Sequence, residues 1–334
     1  MNILIVAPSW IGDTVAAQPL LMRLREHHPD ARIDVLAPPW VAAVLKAMPE
    51  VNGDVISNPF AHGQLRLRGR WALARQLKTH NYDAAYVLPN SLKSALIPFF
   101  AGIRRRVGFI GESRYGLINV RHRLNEQRLP LQVERYAQLA EQPGSALSRP
   151  LPNPSLHVEP DDIARIFNAF DIDTTPVIFC PGAEYGPAKR WPEKHFADLA
   201  RQLVAAGNTV LLLGSKKDAP VGEEIVRLSS GAARNLCGIT DLDQAIHLLA
   251  AAQFVVSNDS GLMHVAAALD KRLVALFGSS SPLYTPPLSH NAHVLWLKLV
   301  CSPCFQRECP LGHLNCLNQI APEQVTSITN KWST

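Results

Sequence analysis

Short, uninterrupted apolar runs alternate with helix-period segments twice along this chain, on either side of a stretch rich in proline, serine and asparagine. A strand that is apolar at every position is buried on both faces, so such runs belong to parallel sheets covered by their crossover helices. In the first series the predicted strands are 2–7, 32–37, 55–57 and 84–88, and the predicted helices 15–27, 41–48, 71–80 and 91–100. In the second, a short helix at 161–170 precedes strands 177–180, 209–214, 254–257 and 272–277, with helices at 195–206, 223–230 and 261–269. The intervening residues 147–160 read as a linker. A length of 334 residues suffices for two domains with separate cores. The expectation is an α/β protein of two Rossmann-like domains, 1–155 and 156–334, whose ligands sit in a cleft between them at the carboxyl ends of the strands.

Composition excludes several classes. With 47% apolar and 18% charged residues the chain is neither disordered, collagen-like nor disulfide-dense. No apolar run approaches the roughly 18–20 residues that cross a bilayer. The opening MNILIVAPSW has no basic segment before its apolar stretch and no small-residue cleavage site after it. It reads as a first strand, and a cytoplasmic protein with reduced cysteines is expected. The net charge of +5 is a mild basic excess, and its one dense run, Arg104-Arg105-Arg106, has no aromatic interleaving. That disfavours a nucleic-acid module. It fits an anionic small molecule, a membrane surface, or an ordinary solvated face.

Three loops carry chemistry-bearing residues. After the first strand, Gly12 is expected to let the chain turn, and Asp13 enters a helix facing the cleft. Asp13 is either a helix N-cap or a general base that takes a proton from a hydroxyl. The glycine spacing is not the dinucleotide fingerprint, which argues against a nicotinamide enzyme. In 180–192, main-chain N–H groups near Gly182 and Ala183 can approach an anion, and Lys189 and Arg190 can supply charge to a phosphate unless they simply face water. In 257–264, Ser260 and Gly261 place free N–H groups and a positive helix end where a pyrophosphate would fit. Asp259 can equally be a cap there, and His264 a core histidine. Lys93, at a strand end, is the best candidate to meet an anionic acceptor, with Arg114 second, whereas most other arginines of the first half are expected to be solvated. The pairs Asp171/Asp173 and Asp241/Asp243 could hold a metal against a diphosphate but read as structural.

Four of the six cysteines, Cys301, Cys304, Cys309 and Cys316, fall within sixteen residues, with His313 among them. They fit a structural zinc site in a loop-rich tail, although a second CxxC is missing. Free thiols, or disulfides under oxidation, are the alternatives. Nothing in the pattern requires a catalytic metal.

Taken together, PSWIGD (8–13), YVLPNSLKSALIPFFAGI (86–103), RYGLIN (114–119), CPGAEYGPAKRWP (180–192), SNDSGLMHVAAAL (257–269) and SSPLYTPPLSH (280–290) give a resemblance that runs from Met1 to about Pro287. The sequence resembles the bacterial lipopolysaccharide heptosyltransferases of glycosyltransferase family 9. The resemblance implies a GT-B fold, with an acceptor domain first and an ADP-heptose-binding donor domain second. It implies inverting, metal-independent transfer of L-glycero-D-manno-heptose from ADP-heptose to the first heptose of Hep-Kdo2-lipid A, with no cofactor. With a lipid-anchored acceptor, no spanning helix and a basic first domain, a peripheral encounter with the cytoplasmic face of the inner membrane is expected. The family's catalytic aspartate falls on Asp13, its phosphate-binding lysine on Lys189, and its acid-small-Gly-x-x-His segment on Asp259, Ser260, Gly261 and His264. Some relatives carry Thr where this chain has Ser260. Rival readings are transfer of heptose to Kdo and a non-catalytic sugar-nucleotide-binding protein. The cysteine-rich tail lies beyond the resemblance.

Overall fold

The computed structural model describes residues 1–60 and 63–332. The chain divides into two compact units, Met1–Pro154 and Ser155–Thr334. In the first, strands β1 (Asn2–Val6), β2 (Arg32–Ala37), β3 (Val55–Ser57), β4 (Ala84–Val87), β5 (Arg105–Phe109) and β6 (Val120–His122) form one sheet in the order β3-β2-β1-β4-β5-β6. Every pairing is parallel. The helices are α1 (Ile11–Ala16), α2 (Gln18–His27), α3 (Ala42–Lys46), α4 (Leu67–Leu77), α5 (Leu92–Phe100) and α6 (Gln132–Ala137).

The second unit repeats the plan. Strands β7 (Val177–Cys180), β8 (Val210–Leu212), β9 (Ala233–Asn235), β10 (Phe254–Asn258), β11 (Leu273–Phe277) and β12 (Ala292–Trp296) are ordered β12-β11-β10-β7-β8-β9, again all parallel. Its helices are α7 (Pro160–Ala169), α8 (Glu193–Ala205), α9 (Ala219–Leu228), α10 (Leu242–Ala251), α11 (Gly261–Ala268), α12 (Asn315–Asn318) and α13 (Pro322–Thr329). In both sheets the order reverses beside the first strand, between β1 and β4 and between β7 and β10. Such a switch point leaves a crevice outside the strand ends, because the crossovers on its two sides go to opposite faces.

The structure amends several expectations. The predicted helix 15–27 is two helices, α1 and α2, with Pro19 in the first turn of α2. Proline lacks the N–H that a continuous helix would need and fits a helix start. Gly12 lies inside α1 and makes no turn. Strand β5 begins within the arginine run that the sequence assigns to solvent. The Arg106 guanidinium donates to the Leu117 carbonyl at 2.6 Å and the Gly116 carbonyl at 3.2 Å, tying β5 to the loop that leads into β6. Asp241 caps α10 by accepting from the Gln244 N–H at 2.8 Å, a structural role.

Each sheet is fixed by a buried polar anchor. In the first unit this is Asp34, fully buried on β2. It accepts from Tyr82 Oη at 2.6 Å, Arg32 Nε at 3.0 Å and the Asp54 N–H at 2.9 Å, joining β2 to the segments that enter β3 and β4. Gly53 is required beside it, since a Cβ there would stand 1.8 Å from Asp34 Oδ1. In the second unit Trp191 is 1% exposed, packs edge-on to Phe196 at 4.8 Å, and donates from its indole N–H to the Ile320 carbonyl at 2.8 Å. One bond therefore fastens the tail to the loop after β7.

Tyr82→Phe removes a hydrogen bond to a buried charge and should lower unfolding stability by about 1.5–3 kcal/mol with an unchanged denaturant slope. Urea titration checks this, and a loss below about 0.5 kcal/mol would show that Asp34 is not the anchor.

Candidate active site

Both switch points carry the residues singled out in the sequence. At the first, the loops after β1 and β4 line a cavity of about 370 Å³ together with α6. Asp13 is the third residue of α1 and one wall of this cavity. The N-cap position belongs to Trp10, so Asp13 is not a cap. Among the described residues nothing donates a hydrogen bond to its carboxylate, and burial alone pushes its pKa up to about 6. Removing water without a replacement donor penalises the charged form, which makes the group a stronger proton acceptor.

Residues that the sequence did not single out complete the wall. Trp10 is 53% exposed and stands on the rim, Asn90 closes the side under β4, and Arg135 of α6 brings a cation. The two acceptor candidates fare differently. Arg114 is 2% exposed, and its guanidinium donates to the Pro89 carbonyl at 2.9 Å and, at shorter range, to Asn90 Oδ1 and the Phe109 carbonyl. It braces the cavity wall through both terminal nitrogens, and its buried Nε alone lacks a partner among the described residues. Lys93 lies in the first turn of α5 and is absent from the cavity lining.

At the second switch point Lys189 and Asp259 form an ion pair, Nζ to Oδ2 at 2.6 Å, with the carboxylate 5% exposed and the lysine 18% exposed. Ser280 Oγ also donates to Asp259, and the ammonium lies 5.2 Å from the centre of the Tyr185 ring. Asn258, buried at the end of β10, makes this geometry possible. Its side-chain carbonyl accepts from the Trp191 N–H at 2.9 Å, and its amide donates to the Pro181 carbonyl at 2.7 Å. One side chain thereby pins both ends of the Lys189 loop. The sequence reading passed over Asn258, although an asparagine inside an apolar strand is a visible signal.

The cap of α11 is Ser260, which accepts from the Met263 N–H at 3.4 Å, and this leaves Asp259 to its partners above. Gly261 opens the helix, and His264 sits in its first turn with its pKa lowered by burial, hence neutral. Gly182 leaves no room for a side chain, because a Cβ would come within 2.5 Å of the Asp218 carboxylate oxygens. Ala183 is 8% exposed beside it. Arg190 follows Lys189 with its Nε buried and without a hydrogen-bond partner among the described residues. Lys189, Asp259, Ser260, Gly261 and His264 are thus brought together as the sequence expects.

Among the described residues one group of carboxylates and histidines, Asp34, Asp54 and His80, has ligand atoms within 4.8 Å of one another. It belongs to the anchor of the first sheet, where Asp34 already accepts three hydrogen bonds.

Residues 70–315 match the family model of glycosyltransferase family 9 (heptosyltransferase). The chain is 46% identical over 341 residues to lipopolysaccharide heptosyltransferase 2 of Escherichia coli (strain K12), covering 99% of this chain and 98% of that protein. It is 47% identical over 310 residues to lipooligosaccharide heptosyltransferase 2 of Haemophilus influenzae, covering 89% of each. The solved structure of E. coli ADP-heptose lps heptosyltransferase II matches with a TM-score of 0.89 and 44% identity, covering 99% of this chain and 98% of that one.

The raised pKa of Asp13 carries a sign for stability. The folded state holds this proton more tightly than the unfolded chain, so its contribution to stability is greatest below about pH 4 and is lost as pH rises through about 6. Asp13→Asn should therefore stabilise the fold above pH 6 by up to about 3 kcal/mol and flatten the decline between those values. Thermal melts of the two proteins from pH 4 to 8 measure this, and a destabilised variant at pH 8 would show that the carboxylate is held by contacts.

Proposed function

The chain belongs to glycosyltransferase family 9, and on that basis we propose that it transfers heptose from ADP-heptose to the first heptose of Hep-Kdo2-lipid A in the lipopolysaccharide inner core. The observation that carries the chemistry is Asp13, a carboxylate without a donor and with a pKa of about 6 at the first switch point. In this reading the acceptor sugar enters the cavity of the first unit, where Trp10 offers an aromatic face and Asn90 and Arg135 offer polar contacts. Asp13 takes the proton of the attacking hydroxyl while the oxygen bonds to the anomeric carbon and the bond to the diphosphate breaks. Asp13 is the one carboxylate among the described residues of the cavity lining, and a single base at the attacking hydroxyl fits a single inverting displacement.

The second unit takes the donor. Main-chain N–H groups at Gly182 and Ala183, the amino end of α11 at Ser260 and Gly261, and the cations Lys189 and Arg190 all suit a diphosphate. Asp259 and Ser280 keep Lys189 oriented, and the negative charge that develops on the leaving ADP is met by groups already in place. In this scheme lysine and arginine fill the role of a divalent ion, so transfer proceeds without a metal cofactor.

The acceptor is a lipid, and α4 fits an encounter with an acidic membrane surface. No helix of the described residues is long and apolar enough to span a membrane. From residue 55 to residue 82 the sequence contains no acid. Leu65, Leu67 and Trp71 are 46%, 50% and 51% exposed, among the exposed cations Arg66, Arg68, Arg75 and Lys78. Exposed apolar residues ringed by cations suit the headgroup boundary of an anionic leaflet.

With purified substrates, Asp13→Ala should lower kcat by about 10²–10⁴-fold while ADP affinity by calorimetry stays within a factor of about two. In the parent enzyme kcat/KM should fall about tenfold per pH unit below pH 6, as the base is protonated. Lys189→Ala should weaken ADP binding by about ten- to a hundredfold. A fall in kcat of less than tenfold for Asp13→Ala would remove the base. Turnover of Kdo2-lipid A in preference to its monoheptosylated form would establish the rival acceptor, and no ADP release with either would leave a binding protein. For the membrane, sedimentation at low salt should retain the protein on vesicles containing acidic lipid and release it at high salt. Trp71→Ala with Arg75→Ala should cut retention about fivefold or more. Equal retention on neutral vesicles would exclude this surface.

A further inference from the structure

The four clustered cysteines, which the transfer chemistry does not use, line one enclosed cavity of about 20 Å³ in the second unit. That is the space of a single ion or water. None of Cys301, Cys304, Cys309 and Cys316 is in a disulfide, and Cys316 is buried on α12. The missing second CxxC is replaced by a backbone turn. Gly312, at a φ of 71°, and Leu314, at 49°, bend residues 309–314 around the Cys309 sulfur. The Gly312 N–H donates to the Cys309 carbonyl at 3.1 Å and closes this turn.

We propose that Cys301, Cys304, Cys309 and Cys316 bind one thiophilic divalent metal, zinc by preference, as a structural site. Four thiols and one Zn²⁺ give a tetrathiolate of charge −2 and release four protons. The sulfurs line the cavity more loosely than metal ligands stand, since no three of them belong to a group within 4.8 Å. Zinc–thiolate bonds of roughly 2.3 Å therefore require the sulfurs to draw inward when the metal binds. His313 is excluded from the ligand set, because its Nδ1 accepts the Asn315 N–H at 3.0 Å and shapes the turn.

The site is placed to staple the tail onto the Lys189 loop. Between Cys304 and Cys309, the Phe305 N–H donates to the Ser279 carbonyl at 2.7 Å, and the Phe305 carbonyl accepts from Tyr185 Oη at 2.7 Å. The Arg307 carbonyl accepts from the Ala188 N–H at 3.0 Å. Ser279 lines the metal cavity, and its neighbour Ser280 holds Asp259. The metal would thus brace, from behind, the loops that carry the ion pair, while touching no substrate.

The full-length protein, purified under reducing conditions, should contain close to one zinc per chain by elemental analysis, released in step with mercurial titration of four thiols. Cobalt added to the stripped protein should give the thiolate charge-transfer and visible bands of a tetrahedral Co(II)–thiolate centre. These should be lost in Cys304→Ser with Cys309→Ser and kept in His313→Ala and Cys237→Ser. Stripping should also speed protease cleavage within residues 305–312 at least tenfold. Because the cobalt titration uses the unmodified chain, it stands even where a cysteine variant fails to fold. A metal-free protein whose stripped form gives no cobalt–thiolate spectrum would overturn the proposal. So would disulfides among these four cysteines found by mass spectrometry under reducing purification.

Discussion

A carboxylate that is largely buried without a hydrogen-bond donor among the described residues is the constraint on which the first unit's site depends. Asp13 sits where β1 hands over to α1, beside the point at which the strand order reverses. A residue one turn further into a helix would face the core, and one in an open loop would be hydrated and acidic. Asp259 lies at the switch point of the second unit, after β10 and so on the other side of the reversal from Asp13, and is treated in the opposite way, with Lys189 and Ser280 both supplying hydrogen bonds. The same side chain, beside the switch points of two similar sheets, is left without a donor in one and held by two in the other. Separating the behaviour of two acids by their surroundings is a general device for assigning catalytic roles.

The second unit gives order where the first gives reactivity. Asn258, Trp191 and the tail from Phe305 to Arg307 hold the Lys189 loop at its two ends and its middle. A loop fixed at that many points loses little freedom when an anion binds, so its charge is available without further ordering. The contrast with the exposed, cation-rich α4 is physical as well as functional. Buried contacts set the geometry of the donor groups, and an exposed apolar and basic face leaves affinity for a surface adjustable by salt.

Much of this was legible in the sequence because parallel sheets write themselves as continuous apolar runs. Strands β1, β2, β7 and β10 needed no tertiary information, and a catalytic residue at a strand end follows from the fold class. What escaped was whatever depends on contacts between distant segments. Strand β5 was hidden by Arg105 and Arg106: Arg105 is exposed as a solvated arginine would be, but Arg106 is spent on the carbonyls of Ile103, Gly116 and Leu117. Arg114 is the second acceptor candidate by sequence, yet its partners are three backbone and side-chain oxygens inside its own unit. Strand β9, of three residues, is too short to show a period, and β12 is an edge strand with His293 and Val294 exposed, so it lacks the continuous apolar run of a buried strand. Asn258 was visible as a polar residue in an apolar strand, but its partners at Pro181 and Trp191 were not.

The account rests on the protonation of one side chain, and that can be observed without substrate. With aspartate labelled by ¹³C at the carboxyl carbon, and the Asp13 resonance assigned by its loss in Asp13→Asn, an NMR titration reads the pKa directly. A midpoint close to 6 is the expected result. A midpoint near 4, the ordinary value for an exposed aspartate, would contradict the central claim and leave the chain without its proton acceptor.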